Sequence, residues 1–408
     1  MRTQRHRGTI MAAAATSGLT LAGVALAVAS PAQAVGEQCQ GQAATIVATA
    51  NNQVLTGTEN VDVIHTGGFT GVKVDGKEGN DLICAVSGTK ADLDGGAGDD
   101  TLEDVAGTAK GRATIVFAGP GKDTFVGLAG TVLTFERSTA AVTVDLTAGT
   151  VVDGGDNETV TGIRVVRGSA FADTFTGSAD ADTYVSSVGP KFDTDGDTIA
   201  TGAGSDTVRA YRGTVDAGAG KDDVTAYAAV VEGGTGRDTI DLRYGGTANG
   251  GSGNDTLKAA SSVKEGPVAA IATVLNGGTG NDILSPVFAS GAGSQYVSGT
   301  VDGGEGNDIL SLVGRRQTIV DLQSGESGRV RVSGGRSDLA SIEYVRGSGV
   351  RDIIRGDDGP NRFSGNGGDD AINGRDGDDR LDGGPGRDVV KGGGGNDTCK
   401  AAEVRVSC

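Results

Sequence analysis

The chain has 408 residues, of which 73 are Gly; aromatic residues make up 4% and Trp is absent. This excludes a thick core of interlocked large side chains, so any interior must be thin and built from small branched residues in repeated layers. A formal net charge of −18 excludes a general affinity for nucleic acid or anionic membranes, and leaves the acids either as a solubilising surface or as oxygen ligands for a hard cation.

Residues 1–34 read as a cleaved secretory signal. Arg2, Arg5 and Arg7 form a basic start, Met11 to Ser30 is an apolar and small-residue run, and Ala32-Gln33-Ala34 supplies a cleavage pattern. Thr16, Ser17, Gly18 and Thr20 break the run, and no later segment reaches the ~18 apolar residues needed to span a bilayer. The expectation is a secreted, extracellular chain cut near Ala34, without membrane insertion. Removing three arginines and no acids makes it more negative still.

Residues 35–56 read as a short N-terminal cap, and glycine-led units of nine residues follow. In 57–130 loose copies begin at Gly57, Gly76 and Ala118, with GGAGDDTLE from Gly95. Residues 131–185 read as a strand-rich spacer with degenerate repeats at Gly168 and Gly177. In 186–308 loose copies at Thr201 and Ala217 precede GGTGRDTID from Gly233, GGSGNDTLK from Gly250, GGTGNDILS from Gly277 and GGEGNDILS from Gly303. A second spacer covers 309–346, six tandem units run from 347 to 400, and 401–408 form a C-terminal cap. In the tandem units Asp stands sixth in five of six, and an apolar residue or Cys stands eighth in all, as a short strand with one inward side chain requires. Self-similarity at a fixed short period means a solenoid.

The spacers resemble one another. TAAVTVDLTAGTVV with TGIRVVRGSAFADTFTG, from Thr139 to Gly177, matches QTIVDLQSGESGRVRV with ASIEYVRGSGVRDIIRG, from Gln317 to Gly356, and both alternate apolar and polar residues like strands. Arg315, Arg316, Arg329, Arg331 and Arg336 cluster by sequence in the second and read first as outward strand residues near carboxylates, second as contacts for an acidic glycan.

Spacing orders the sixth-position acids. Asp62, Asp81, Asp100 and Asp123 are 19, 19 and 23 residues apart, and Asp206, Asp222, Asp238 and Asp255 are 16, 16 and 17 apart. These steps are whole coils, whereas the tail repeats every half coil, so the expectation is one acidic rail along a single edge that becomes two-edged only after Gly347. The longer steps of 27 and 26 to Asp282 and Asp308 imply excursions at 259–275 and 285–300.

On these repeats the chain resembles the RTX, or haemolysin-type, calcium-binding repeat family, as a secreted repeat-only member. The resemblance implies an all-β parallel β-roll or β-solenoid whose glycine-rich turns share multiple Ca2+ ions between stacked coils. Backbone carbonyls and the sixth-position carboxylates are the implied ligands: Asp62, Asp81, Asp100, Asp123, Asp173, Asp182, Asp206, Asp222, Asp238, Asp255, Asp282, Asp308, Asp352, Asp370, Asp379, Asp388 and Asp397. Calcium takes six to eight oxygens, which suits that set. Family members often carry a protease, lipase or pore-forming domain, for which 35–56 is too short. Many also use a C-terminal secretion signal, where this chain has an N-terminal one.

No catalytic constellation is found. His65 is the single histidine after residue 34 and reads as a solvated turn residue, so neither an oriented base nor a zinc site is supplied. The functional expectation is therefore a calcium-binding protein with a structural or interaction role, with calcium-dependent folding and a cell-wall or matrix glycan as partner. The alternative is a calcium-assisted polysaccharide lyase on a β-helix, which needs Lys or Arg at one position of adjacent coils. Four cysteines in an exported chain predict the bridges Cys39–Cys84 and Cys399–Cys408, each tying down a terminal repeat that lacks a neighbour.

Overall fold

The computed structural model describes residues 37–86, 90–104, 113–186, 196–260, 272–286, 299–312, 317–323, 328–332 and 335–408. The signal segment lies outside the described residues, as does most of the two excursions. Among the described residues all regular structure is strand, in one long and mainly parallel ladder with a separate two-stranded antiparallel hairpin at its start. No helix among the described residues is long and apolar enough to cross a membrane.

Each coil carries one short strand on each of two opposed faces. On the first face Val63–His65, Leu82–Ala85, Thr101–Asp104 and Thr124–Val126 pair in parallel. On the second, Val54–Thr56, Val72–Asp75, Ala91–Asp94, Ile115–Phe117 and Val132–Thr134 do the same. Side chains alternate across a strand, so a three-residue strand sends its middle residue inward. Ile64, Ile83, Leu102 and Phe125 thereby stack from one side against Leu55, Val74, Leu93, Val116 and Leu133 from the other, and all are buried. Two facing single files of apolar side chains form most of the apolar interior, which is why so few aromatics suffice.

The two spacers are the same device. In the first, Asp156–Thr161 continues the first face from Thr124–Val126, turns back antiparallel through Thr150–Asp153 to Thr143–Asp145, and the face resumes at Thr174–Thr176. In the second, Gly335–Ala340 continues from Gly299–Gly306, passes through Gly328–Val332 to Thr318–Asp321, and resumes at Ile353–Arg355. The second face crosses both without interruption, from Val132–Thr134 to Val165–Arg167 and from Ile309–Ser311 to Tyr344–Arg346. Each spacer is thus a three-stranded meander set into one face. Within the second, the backbone register pairs Arg331 with Arg336, while Arg315 and Arg316 lie outside the described residues.

The ends are closed by cover and by charge. A hairpin of Gln38–Cys39 and Gln42–Ala43 lies over the outward side of the first coils, where Cys39, Val63, Leu82 and Cys84 form a small cluster of their own. That cover corrects the expectation for His65. It is not a solvated turn residue but the last residue of a covered strand, 4% exposed, with Nδ1 accepting the Gly67 N–H at 3.1 Å and lying 3.5 Å from Glu37. Cys39 is bonded to Cys84 and Cys399 to Cys408, with Cα separations of 5.7 and 5.8 Å that suit a bridge. At the C-terminus the core register of Val390 passes to exposed Arg405, which cannot extend an apolar file.

Candidate metal centre: the aspartate ladders

The residue before most glycine-turn strands is a buried aspartate, and these aspartates form ladders. The Asp62 N–H donates to Asp81 Oδ1 one coil on at 2.8 Å, Asp81 to Asp100 at 2.8 Å, and Asp100 to Asp123 at 2.9 Å. A longer ladder runs Asp182, Asp206, Asp222, Asp238, Asp255, Asp282, Asp308, with steps of 2.7–2.9 Å, and ends on Glu343 Oε2 at 2.8 Å. In the tail Asp352, Asp370 and Asp388 form one ladder, ending on Glu403, and Asn361, Asp379 and Asp397 form another. Each step uses one carboxylate oxygen to satisfy a backbone donor that the turn would otherwise leave bare.

The rail does not keep to a single edge. Asp62 to Asp123 lead into first-face strands, whereas Asp182 to Asp308 lead into second-face strands. Between them the first-face pair Asp173 and Asp197, joined at 3.0 Å, overlaps the start of the second-face ladder, so both edges are acidic well before Gly347. Spacing within a run counts whole coils. It carries no phase across a spacer, and the switch occurs at the first meander.

The carboxylates fall into two sets. Where the turn begins Gly-Ser or Gly-Thr, its own hydroxyl closes it. The Ser178 N–H and Oγ reach Asp182 Oδ2 at 2.6 and 2.9 Å, those of Ser348 reach Asp352 Oδ2 at 2.7 and 2.8 Å, Thr58 does the same for Asp62, and the Ser169 N–H and Oγ reach Asp173 Oδ2 and Oδ1. Elsewhere the second residue of the turn is Gly, Lys, Asn or Arg, which carries no hydroxyl. The second oxygens of Asp81, Asp100, Asp206, Asp222, Asp238, Asp255, Asp282, Asp308, Asp370, Asp379 and Asp388 are buried without a partner. Asp123 Oδ2 receives only a long contact from the Gly119 N–H at 3.4 Å, and Asp397 is the partly exposed last rung.

Burial raises the pKa of several members of this second set. Desolvation, opposed by the ladder N–H and reinforced by neighbouring carboxylates, pushes Asp100 and Asp370 up to about 7 and Asp238, Asp282 and Asp379 up to about 6. A stack of such groups needs either protons or cations.

The donors fit a hard cation. A Cβ placed on Gly76 would lie 2.4 Å from Asp81 Oδ2 and 2.2 Å from the Gly95 carbonyl oxygen, and on Gly277 it would lie 2.4 Å from Asp282 Oδ2 and 2.3 Å from the Gly303 carbonyl oxygen. Each such turn therefore holds a bare carboxylate oxygen and a carbonyl of the next coil around a space that no side chain can enter. Among the described residues no three His, Cys, Asp or Glu side chains gather around one point, so most ligands must come from the backbone. Oxygen-only donation of this kind suits calcium.

Three members of the ladders escape a search for the repeat. Asp197 follows FDTDG rather than a glycine pair, and it accepts from Ser186 Oγ and, at 3.2 Å, from the Tyr184 hydroxyl. Glu343 and Glu403 stand where the motif asks for Asp. Asp197 and Glu343 share with the others the following strand, with its apolar residue two positions on in TIA and YVR, whereas Glu403 is followed there by Arg405.

A parallel β-solenoid with buried glycine–aspartate turns places the chain among the β-solenoid repeat proteins. The family model described as RTX calcium-binding nonapeptide repeat (4 copies) matches residues 92–103, 165–189, 193–224, 244–261, 272–285, 300–312, 346–381 and 373–401. The chain carries RTX calcium-binding repeats distributed from residue 92 to residue 401. No curated protein matches it.

Proposed function

We propose that this is a secreted protein that orders on calcium and serves as a structural or interaction module for acidic cell-wall or matrix glycans. The observation that carries the calcium reading is the row of unpartnered buried oxygens from Asp206 Oδ2 to Asp308 Oδ2, one per coil. Calcium would bind there through those oxygens and the neighbouring glycine carbonyls, and Asp62, Asp173 and Asp352 would close their turns without it, whereas Asp182 keeps a buried Oδ1 without a hydrogen-bond partner. Because the ion binds only folded turns, binding and folding are linked.

A basic strip supports the glycan partner. On the outward side of the second face Arg362 and Arg380 pair across adjacent coils, and the guanidiniums of Arg346 and Arg362 lie 5.7 and 4.9 Å from the Tyr344 ring centre. None of the three arginines has a carboxylate partner among the described residues. An aromatic plate flanked by unpaired guanidiniums matches a sugar ring that carries acidic groups. The test is circular dichroism in chelator and then in millimolar calcium, followed by capture on acidic glycan beads. A calcium-independent β spectrum defeats the folding part. Undiminished capture by the Arg362→Ser, Arg380→Ser double variant defeats the partner part.

A further inference from the structure

The first ladder does not stop at Asp123. Thr159 pairs with Thr124, and its N–H donates to the Asp123 carbonyl at 2.9 Å, so Glu158 occupies the ladder position of the next coil. Glu158 is 2% exposed, and neither Oε1 nor Oε2 has a hydrogen-bond partner. At the other ladder ends the glutamate is used, since Glu343 Oε2 and Glu403 Oε2 each accept a backbone N–H at 2.8 and 2.5 Å. Glu158 is the exception.

Its surroundings add charge of the same sign. The turn Asp153-Gly154-Gly155-Asp156 joins the two meander strands, Asp153 faces Asp156 across it, and the carboxylates of Asp123, Asp153 and Asp156 all act electrostatically on Glu158. Burial and these neighbours push Glu158 up to about 9. Beside the turn opens a cavity of about 410 Å³, lined in part by Asp94, Gly119, Pro120, Arg137, Asp153 and Asp156, and Arg137 is already paired with Asp94. Among the described residues no lysine or arginine pairs with Glu158, and the cavity opens Asp153 and Asp156 to solvent.

We propose that Glu158, with Asp123, Asp153 and Asp156, holds a divalent cation, calcium by the chemistry of its donors, where the first ladder meets the first meander. The carboxylates do not meet at one point, so the ion takes backbone carbonyls and water as further ligands. The site lies outside the matched repeats and uses a hairpin in place of a glycine-rich turn. Its effect is to fasten the turn of the meander to the coil of Asp123.

The test counts ions. The purified chain and its Glu158→Gln variant are dialysed against millimolar calcium and their bound calcium is measured by elemental mass spectrometry, with amide exchange read across residues 150–161. The proposal expects one ion fewer in the variant and faster exchange in the hairpin alone. Gln also imitates a buried protonated acid, so an unchanged ion count with slower hairpin exchange in chelator overturns it. Should the variant fail to fold, the wild-type hairpin decides: protection of 150–161 that does not change with calcium overturns the proposal as well. If instead no part of the chain responds to calcium, the proposed function itself fails.

Discussion

The backbone N–H of Asp238 donates to Oδ1 of Asp255 at 2.8 Å, and Oδ2 of Asp255 is left buried without a partner. One carboxylate thus has two duties in two coils. Its first oxygen satisfies the turn before it, and its second is free to hold an ion. The relationship separates what the protein frame needs from what the cation supplies.

Replacing Asp255 with Asn should keep the first duty and weaken the second. The amide oxygen still accepts the Asp238 N–H, while the turn loses a charged ligand. The calcium midpoint for folding should rise about tenfold, and the chelated protein should become more ordered, not less. A calcium titration followed by circular dichroism reads both. An unchanged midpoint would place no ion at this rung.

Acid should replace calcium in part. Asp100 and Asp370 sit at about 7 in the folded chain and near 3.9 when unfolded. A folded value raised in this way stabilises fully below the unfolded value, and that stability is lost as pH rises through the folded one. The chelated chain should therefore be ordered at pH 4 and lose its β spectrum between about pH 4 and 7. Order that increases with pH in chelator would contradict the assignment.

Self-closed turns should respond differently. Ser348→Ala removes the Oγ contact to Asp352 Oδ2 at 2.8 Å and should cost about 1 kcal/mol, read as a lower melting temperature in saturating calcium. Its calcium midpoint should barely move, because that turn has no open oxygen to offer.

Glycine is required by crowding at specific places. A Cβ on Gly253, whose φ is +145°, would lie 1.4 Å from the Gly236 carbonyl oxygen, whereas one on Gly349 meets nothing within 4 Å. Gly253→Ala should abolish order in the central coils, and Gly349→Ala should fold like the parent. Comparable melts for the two would show that the coils are spaced more widely than described.

Asn361 offers the reverse experiment. Its Oδ1 accepts the Asp357 N–H at 3.0 Å and its Nδ2 donates to Asp357 Oδ1 at 2.9 Å, so the amide neutralises a turn that its neighbours leave charged. Asn361→Asp should tighten calcium binding in the tail and loosen the chelated state, since two carboxylates then meet without a proton donor. Calorimetric titration showing weaker binding would contradict the stack of Asn361 on Asp379.

Most of the fold was legible from residue order. The sixth-position Asp and eighth-position apolar residue of GGTGNDILS specify a turn and an inward side chain by local chemistry alone, and their recurrence specifies stacking. The same reading placed Asp370 over Asp388 and paired Cys39 with Cys84 as the structure does. It missed Asp197, because a motif defined by glycines overlooks a turn closed by Ser186 and Tyr184.

Tertiary structure decided the rest. The edge on which each ladder runs depends on the phase gained across the first meander, and no spacing within Asp62–Asp123 or Asp206–Asp308 records it. His65 is covered because a distant hairpin folds over its strand. The sequence by itself determined which groups are acids, which turns can be tight and which side chains face inward, since those follow from bonds and sterics within nine residues. Whether a carboxylate oxygen is closed by a serine, like that of Asp182, or left open for an ion, like that of Asp255, is settled only when the next coil arrives and excludes water from it.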